Sequence, residues 1–153
     1  KYGLKLNEAK TRLVSFSKRA SHQGIHQEAF DFLGFTFYVG RSRKGTPVPK
    51  VKSIGKRLRL KLKRVNEWAR TVRSRYRLEE IWRIFCTKLE GHVQYYGVSF
   101  NVRHVQKFLH LAKHILFKWL NRRSQRRTLN WEAYLRFMEA HPLPRARVCH
   151  TLF

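Results

Sequence analysis

The sequence predicts an α+β fold, a small antiparallel β-hairpin unit over residues 1–52 followed by a mainly α-helical bundle over residues 53–153. Three observations predict it. The first part is rich in Phe, Val and Thr and is broken by Gly34 and by turn residues 40–45. The hydrophobic period then changes from two to 3.6 near Ser53. Beyond that point, apolar residues recur on single faces of four successive segments, the pattern of a packed bundle.

Taken in order, residues 4–9 fit a short helical turn with Asn7 as a cap, and Thr11-Arg12-Leu13-Val14-Ser15-Phe16 reads as a strand. Residues 17–27 are polar, carry Gly24, His22 and His26, and read as loop. The run from Phe30 to Val39 has strong β composition, but its alternation changes phase at Gly34. Phe30 and Phe32 fall on even positions, whereas Phe35, Phe37 and Val39 fall on odd ones. A glycine at a phase slip predicts a bulge, or a place where a backbone or ligand comes close. Residues 46–51 return as an edge strand, because Pro47 and Pro49 exclude this segment from a sheet centre.

The helices follow. Ile54, Leu58, Leu62, Val65, Ala69 and Val72 share one face, with Ser53 as the expected N-cap. A second helix over 78–96 turns Leu78, Ile81, Trp82, Phe85, Leu89 and Val93 inward. A third begins near Asn101 and buries Val105, Phe108, Leu109, Ala112, Leu116 and Trp119. A shorter fourth starts near Thr128 or Asn130, buries Trp131, Leu135 and Met138, and is ended by Pro142 and Pro144.

Charge narrows the function. Lys and Arg number 34 against 9 acids, a net +25, and Asp31 is the only aspartate. Such a surface has a polyanion as its natural partner, since neutralised phosphates release condensed counterions. With one Asp, the chain has no means of building the clustered carboxylates of a two-metal nucleotidyl-transfer site. Aromatics at 14% argue against a disordered basic tail. No apolar run approaches the roughly 18 to 20 residues of a membrane span, and no signal-peptide pattern is present, so a cytoplasmic protein is expected. Cys86 and Cys149 lack CxxC partners and read as ordinary thiols. His110 and His114 stand at i, i+4 without the glutamate of an HExxH pattern and beside Lys113, so both read as surface histidines, as do His22 and His26.

Between Arg41 and Arg75 there are fourteen Lys or Arg against the single acid Glu67. Lys56, Arg59, Lys63 and Arg70 line the stripe opposite the apolar face of the first helix, a ladder for a phosphate backbone. Arg103, Lys107, His110, His114 and Lys118 form a similar stripe on the third helix. Arg122, Arg123, Arg126 and Arg127 continue it beyond the need of a helix C-terminus for positive charge.

Particular strings carry a resemblance. Residues 3–13, GLKLNEAKTRL, are similar to the block that follows the catalytic YxDD of group II intron-type reverse transcriptases, where a pattern close to GLxLNxxKTxL recurs. Phe30-Asp31-Phe32-Leu33-Gly34-Phe35 resembles the next block, the FxFLGF hairpin at the base of the palm. Gly91, Tyr95-Tyr96-Gly97, Asn101 and Trp119-Leu120-Asn121-Arg122-Arg123-Ser124 resemble the maturase-specific thumb, domain X. The resemblance spans nearly the whole chain, with residues 1–52 as the end of the palm and 53–153 as the thumb.

The resemblance implies a primer grip at Phe32, Leu33, Gly34 and Phe35, and a general acid at Lys10 in the intact enzyme. It implies contacts of the thumb with intron RNA and template-primer through Lys56, Arg59, Lys63, Arg70, Arg103, Lys107, Lys118, Arg122, Arg123 and Arg126. The fingers, the YxDD and the other palm carboxylates are absent, so this chain by itself is expected to be no polymerase and to need no cofactor; Mg2+ would belong to the intact enzyme. No endonuclease-like cluster of histidine, asparagine and cysteine follows. The opening at Lys1 without Met reads as the middle of a longer protein. The leading expectation is an RNA-binding piece of a group II intron reverse transcriptase/maturase that assists intron folding and splicing. The alternative is a basic RNA- or DNA-binding domain without polymerase ancestry.

Overall fold

A computed structural model describes residues 7, 11, 28–123 and 129–152. The turn expected over 4–9, the strand over 11–16 and the loop over 17–27 fall outside the described residues but for Asn7 and Thr11, whose hydroxyl donates to the Asn7 carbonyl (2.8 Å). The fold is α+β. Three antiparallel strands, β1 (Phe30–Phe32), β2 (Phe35–Arg41) and β3 (Pro47–Ser53), are followed by helices α1 (Gly55–Val72), α2 (Leu78–Tyr96), α3 (Val102–Leu120) and α4 (Trp131–Ala140).

The phase slip at Gly34 is a hairpin turn and not a bulge. Phe32 pairs with Phe35, and the two residues between them, Leu33 (φ 47) and Gly34 (φ 88), both take left-handed backbone, as a two-residue type I′ turn requires. Two residues are spent reversing the chain, so the alternation restarts on the other parity. Phe30 consequently lies opposite Phe37, and their rings stack at 5.1 Å. The close approach expected at Gly34 is met from within the chain, since a Cβ there would stand 3.0 Å from the Tyr96 hydroxyl. Strand β3 pairs with β2 from Arg41↔Pro47 to Phe35↔Ser53 and, among the described residues, forms the sheet edge that its prolines demand.

Ser53 does not cap α1. It is the last residue of β3, and both its N–H and its hydroxyl donate to Asn101 Oδ1 (2.7 and 3.1 Å), which leaves Ile54 as the N-cap residue. Asn101 is fully buried. Its Nδ2 donates to Ser53 Oγ (2.9 Å) and to the Tyr96 carbonyl (2.8 Å). One side chain thus joins the end of the sheet, the end of α2 and the start of α3.

Helix α2 has the bounds that its periodicity predicts, and Ile81, Trp82, Phe85, Leu89 and Val93 are buried as expected. In α3, Val105, Phe108, Ala112 and Leu116 are buried, and Leu109 and Trp119 pack at the core margin. Helix α4 starts after Asn130, whose side chain accepts from the Ala133 N–H (2.8 Å). Its expected inward residue Leu135 faces out. The wholly buried position is Tyr134, packed edge-on against Trp82 (5.9 Å) with its hydroxyl donating to the Lys113 carbonyl (3.3 Å). A tyrosine reads as a surface residue until a carbonyl is found for its hydroxyl, which is why the sequence favours the neighbouring leucine.

The Ser53–Asn101 contact at one end, and Trp119 donating to Asn66 Oδ1 (2.8 Å) towards the other, show that α1 and α3 run parallel. Helix α2 runs antiparallel between their ends, with Trp68 stacked on Phe85 and Lys61 over Tyr96. The larger core cluster joins all four helices around Phe85, Leu89, Leu116 and Tyr134. A second seats the sheet, packing Phe35 and Val51 on Val93, Tyr96, Val98 and Val105. Phe35 and Phe37 of the hairpin therefore have partners in the bundle, Phe30 stacks on Phe37 within the sheet, and Phe32 is exposed. Residues 141–150 return along α2. The Trp82 indole donates to the His141 carbonyl (3.1 Å), Arg147 pairs with Glu90, and the His150 N–H donates to the Gly97 carbonyl (3.1 Å).

Replacing Asn101 with Ala leaves the Ser53 N–H unpaired in the interior and removes one of the two donors to the Tyr96 carbonyl, which keeps the Val98 N–H (2.8 Å). Urea unfolding is expected to show a loss of about 2–4 kcal/mol, whereas Leu135→Lys on the exposed face should stay within about 0.5 kcal/mol of the parent.

Candidate nucleic-acid interface

Helix α1 packs with Leu58, Leu62, Val65, Ala69 and Val72, and this leaves Lys56, Arg59, Lys63 and Arg70 exposed. On α3 the same logic leaves Arg103, Lys107 and Lys118 exposed. Because the two helices run parallel, their first turns lie side by side, and a groove of about 510 Å³ opens between them at the end of β3. Lys52, Arg59, Lys107 and His104 line it, with Leu58, Leu62 and Leu111. Of the residues singled out in the sequence, Arg59 and Lys107 meet here.

The first turns of α1 and α3 carry no acidic residue, whereas α2 begins with Glu79 and Glu80 and α4 with Glu132. The backbone N–H groups of a helix N-terminus act as about half a positive charge and favour anions. Here two such termini lie together and are surrounded by further cations. That accumulation opposes folding unless an anion sits against it, which is the electrostatics of a phosphate site.

His104 shares the groove. Burial first, then Lys52 and Lys107, hold its pKa below the usual histidine value, and no partner meets its buried Nδ1 among the described residues.

A second cationic cluster surrounds Trp119 at the far ends of α1 and α3. Arg73, Lys118 and Arg122 stand 4.9, 5.3 and 5.6 Å from its indole. Arg73 also donates to the Arg122 carbonyl (3.3 Å), and Arg123 donates to the Tyr76 carbonyl (2.8 Å). Cations are favourable at helix C-termini, so this cluster needs no ligand to account for it. The fourteen steps of helical rise from Arg59 to Arg73 amount to about 21 Å, so the two clusters are separate contact points. Lys56, Lys63 and Arg70 remain along α1, outside both. Lys10 and Arg126 lie outside the described residues.

The FLGF string divides. Phe32 and Leu33 are 58% and 63% exposed, while Gly34 and Phe35 are buried. Phe35 packs against Tyr95 and Tyr96 (6.0 and 5.2 Å), the Tyr95 hydroxyl donates to the Leu33 carbonyl (2.8 Å), and the Ile54 N–H donates to the Gly34 carbonyl (3.1 Å). The bundle therefore holds the turn from below and presents Phe32 and Leu33 outward.

Lys52, Arg73 and His104 are the members that sequence reasoning missed. Lys52 alternates outward between Val51 and Ser53, and His104 follows Arg103 in the first turn of α3, but neither signal tells which helix lies opposite. His110 and His114 are 4.5 Å apart, and His114 stacks on Trp131 (4.9 Å), a packing role between α3 and α4. Among the described residues no three of His, Cys, Asp and Glu gather in a metal-binding group, and no helix is long and apolar enough to cross a membrane. Compared with family models, curated proteins and solved structures, the chain has no significant match.

A phosphate bound between Lys52 and Lys107 offsets the charges that depress His104. Titrating the protein with inorganic tripolyphosphate should raise the His104 pKa, read from its imidazole proton resonances. By linkage, anion affinity then increases as pH falls through the histidine range, and His104→Gln removes that increase.

Proposed function

We propose that this chain binds structured RNA through the groove between α1 and α3. We read it, on the strings given above, as the end of the palm and the thumb of a group II intron-type reverse transcriptase/maturase. The observation that carries the binding reading is the cationic groove at two parallel helix N-termini that have no acid of their own. A merely solvated basic surface mixes signs and places carboxylates at helix starts, as α2 and α4 do. The groove does the reverse.

The mechanism is electrostatic. Lys52, Arg59 and Lys107 neutralise adjacent phosphates, and the Trp119 cluster adds a second contact further along the helices. Together they lower the repulsion that resists compaction of an intron RNA. Contacts of this kind read backbone shape and suit an A-form duplex, whose deep major groove side chains cannot enter. In the same reading, Phe32 and Leu33, held out by the tyrosine pair, rest against a primer strand. Polymerisation, and the Mg2+ that goes with it, is assigned to carboxylates outside this chain. Asp31, the one aspartate, accepts from the Thr36 hydroxyl (2.5 Å).

With six or more phosphates engaged, affinity for a structured RNA is expected to fall on the order of 10³-fold between about 50 and 200 mM salt. The combined Lys52→Ala, Arg59→Ala and Lys107→Ala variant should reduce the slope of log affinity against log salt by about 2 to 3, with its circular dichroism unchanged. A flat salt response in the parent rejects the phosphate groove. An unchanged slope in the variant moves the contact elsewhere.

A further inference from the structure

A second cavity, sharing no lining residue with the groove, lies between α1 and α2 and measures about 280 Å³. The two antiparallel helices build it from matched positions. Helix α1 supplies Lys61, Arg64, Val65 and Trp68, and α2 supplies Phe85, Lys88, Leu89 and His92, each set at i, i+3, i+4 and i+7. Val65, Trp68, Phe85 and Leu89 give apolar and aromatic walls. The Trp68 and Phe85 rings lie within 7° of parallel, and the Lys88 ammonium stands 5.7 Å from the Trp68 ring. Three cations, Lys61, Arg64 and Lys88, thus accompany an aromatic wall.

His92 is the second observation. It lines the cavity, is 95% buried with 5% exposed, and is packed between Phe108 (3.6 Å) and Tyr96 (4.7 Å). Neither ring nitrogen has a hydrogen-bond partner among the described residues. Burial first, and Lys61 second, push its pKa down to about 3, so the ring is neutral at physiological pH and offers one donor and one acceptor. Buried polar atoms left unpaired are uncommon in native interiors and call for a partner.

Gly91 is the third. It lies inside α2, where a glycine is unfavourable relative to alanine, yet a Cβ added there meets nothing within 4 Å. Packing does not require it. It is exposed and lines the cavity, so a longer side chain there is expected to narrow the way in.

We propose that this cavity takes one unstacked nucleobase of the bound RNA. The base lies against Trp68 and the apolar walls, and its flanking phosphates rest on Lys61, Arg64 and Lys88. The proposal rests on the RNA-binding reading above. An aromatic wall flanked by cations suits a planar ring carrying phosphate, and the volume, near the lower end of the about 300–1,000 Å³ of small-ligand sites, suits one base better than several. Bases splayed from loops and bulges are commonly held by stacking on aromatic side chains.

The test compares a hairpin RNA bearing a single bulged 2-aminopurine with the same hairpin fully paired. The bulged RNA is expected to bind about tenfold more tightly, with quenched 2-aminopurine fluorescence, as stacking on an aromatic side chain would produce. Gly91→Leu improves the helix and plugs the opening. It should raise the melting temperature, leave affinity for the paired hairpin unchanged, and abolish both the preference and the quenching. Equal affinity for the two RNAs with unquenched fluorescence overturns the base pocket while RNA binding stands. A preference that survives Gly91→Leu overturns it as well. Failure to bind either RNA removes the RNA reading itself, and the pocket with it. Free 2-aminopurine ribonucleotide, lacking the neighbouring phosphates, should bind much more weakly than the bulged RNA; equal affinity would point to a mononucleotide ligand and overturn the proposal.

Discussion

The hydrogen-bond set of Asn101 is the constraint on which the remaining geometry depends. Its amide occupies the one place where β3 ends, α2 ends and α3 begins, and it satisfies a donor from the first and an acceptor from the second. A buried polar group is specific in a way that apolar contact is not, because a slip of one residue leaves it unpaired in a medium of low dielectric. The carboxamide therefore sets the sheet at one height against the bundle. That height puts the first turn of α1 beside the first turn of α3. The groove, the parallel helix starts and the cluster of Lys52, Arg59 and Lys107 all follow from it.

The electrostatics of the two ends of the α1–α3 pair then differ in kind. At the C-terminal end, positive side chains meet the negative end of the helix dipoles, and Trp119 adds its π-face. At the N-terminal end, like meets like. A fold with large positive surplus gains nothing by concentrating it there, so the concentration is better explained by a partner than by stability. Natural proteins tend to break local rules at functional sites. Here a rule of helix starts is broken twice, at neighbouring positions, and is kept in the two helices that lie away from the groove.

Much of this was legible in the sequence, in ways that track the physics. The bounds of α2 follow from its unbroken apolar face, and the edge position of β3 follows from Pro47 and Pro49. The phase change at Gly34 was visible, but its meaning was not. A bulge and a two-residue turn shift the alternation alike, and only the pairing partner separates them. Ser53 looks like a helix cap because caps are local, whereas its actual partner lies 48 residues away. Leu135 and Tyr134 exchange places for a related reason, since a carbonyl on α3 makes the tyrosine the better core residue. In the site, the exposed stripe of α1 could be read from its period. Which cations converge could not, because a helical wheel says what faces away from the core and nothing about what stands across a groove. His92 was hidden for the same reason, as its partners Phe108 and Lys61 come from two other helices.

The distance of Ser53 from Asn101 along the chain also sets an order in time. A ribosome adds about 5–20 residues per second, so the 48 residues added after Ser53 up to and including Asn101 take about 2–10 s to appear. During that interval the hairpin is complete in sequence but has no amide to close its end and no Tyr95 and Tyr96 to hold its turn. Its apolar face, with Phe35 and Val51, is then open to the nascent chain and to other molecules. The hairpin is made early and fastened late, and the interval between is when this protein is most exposed to mispairing.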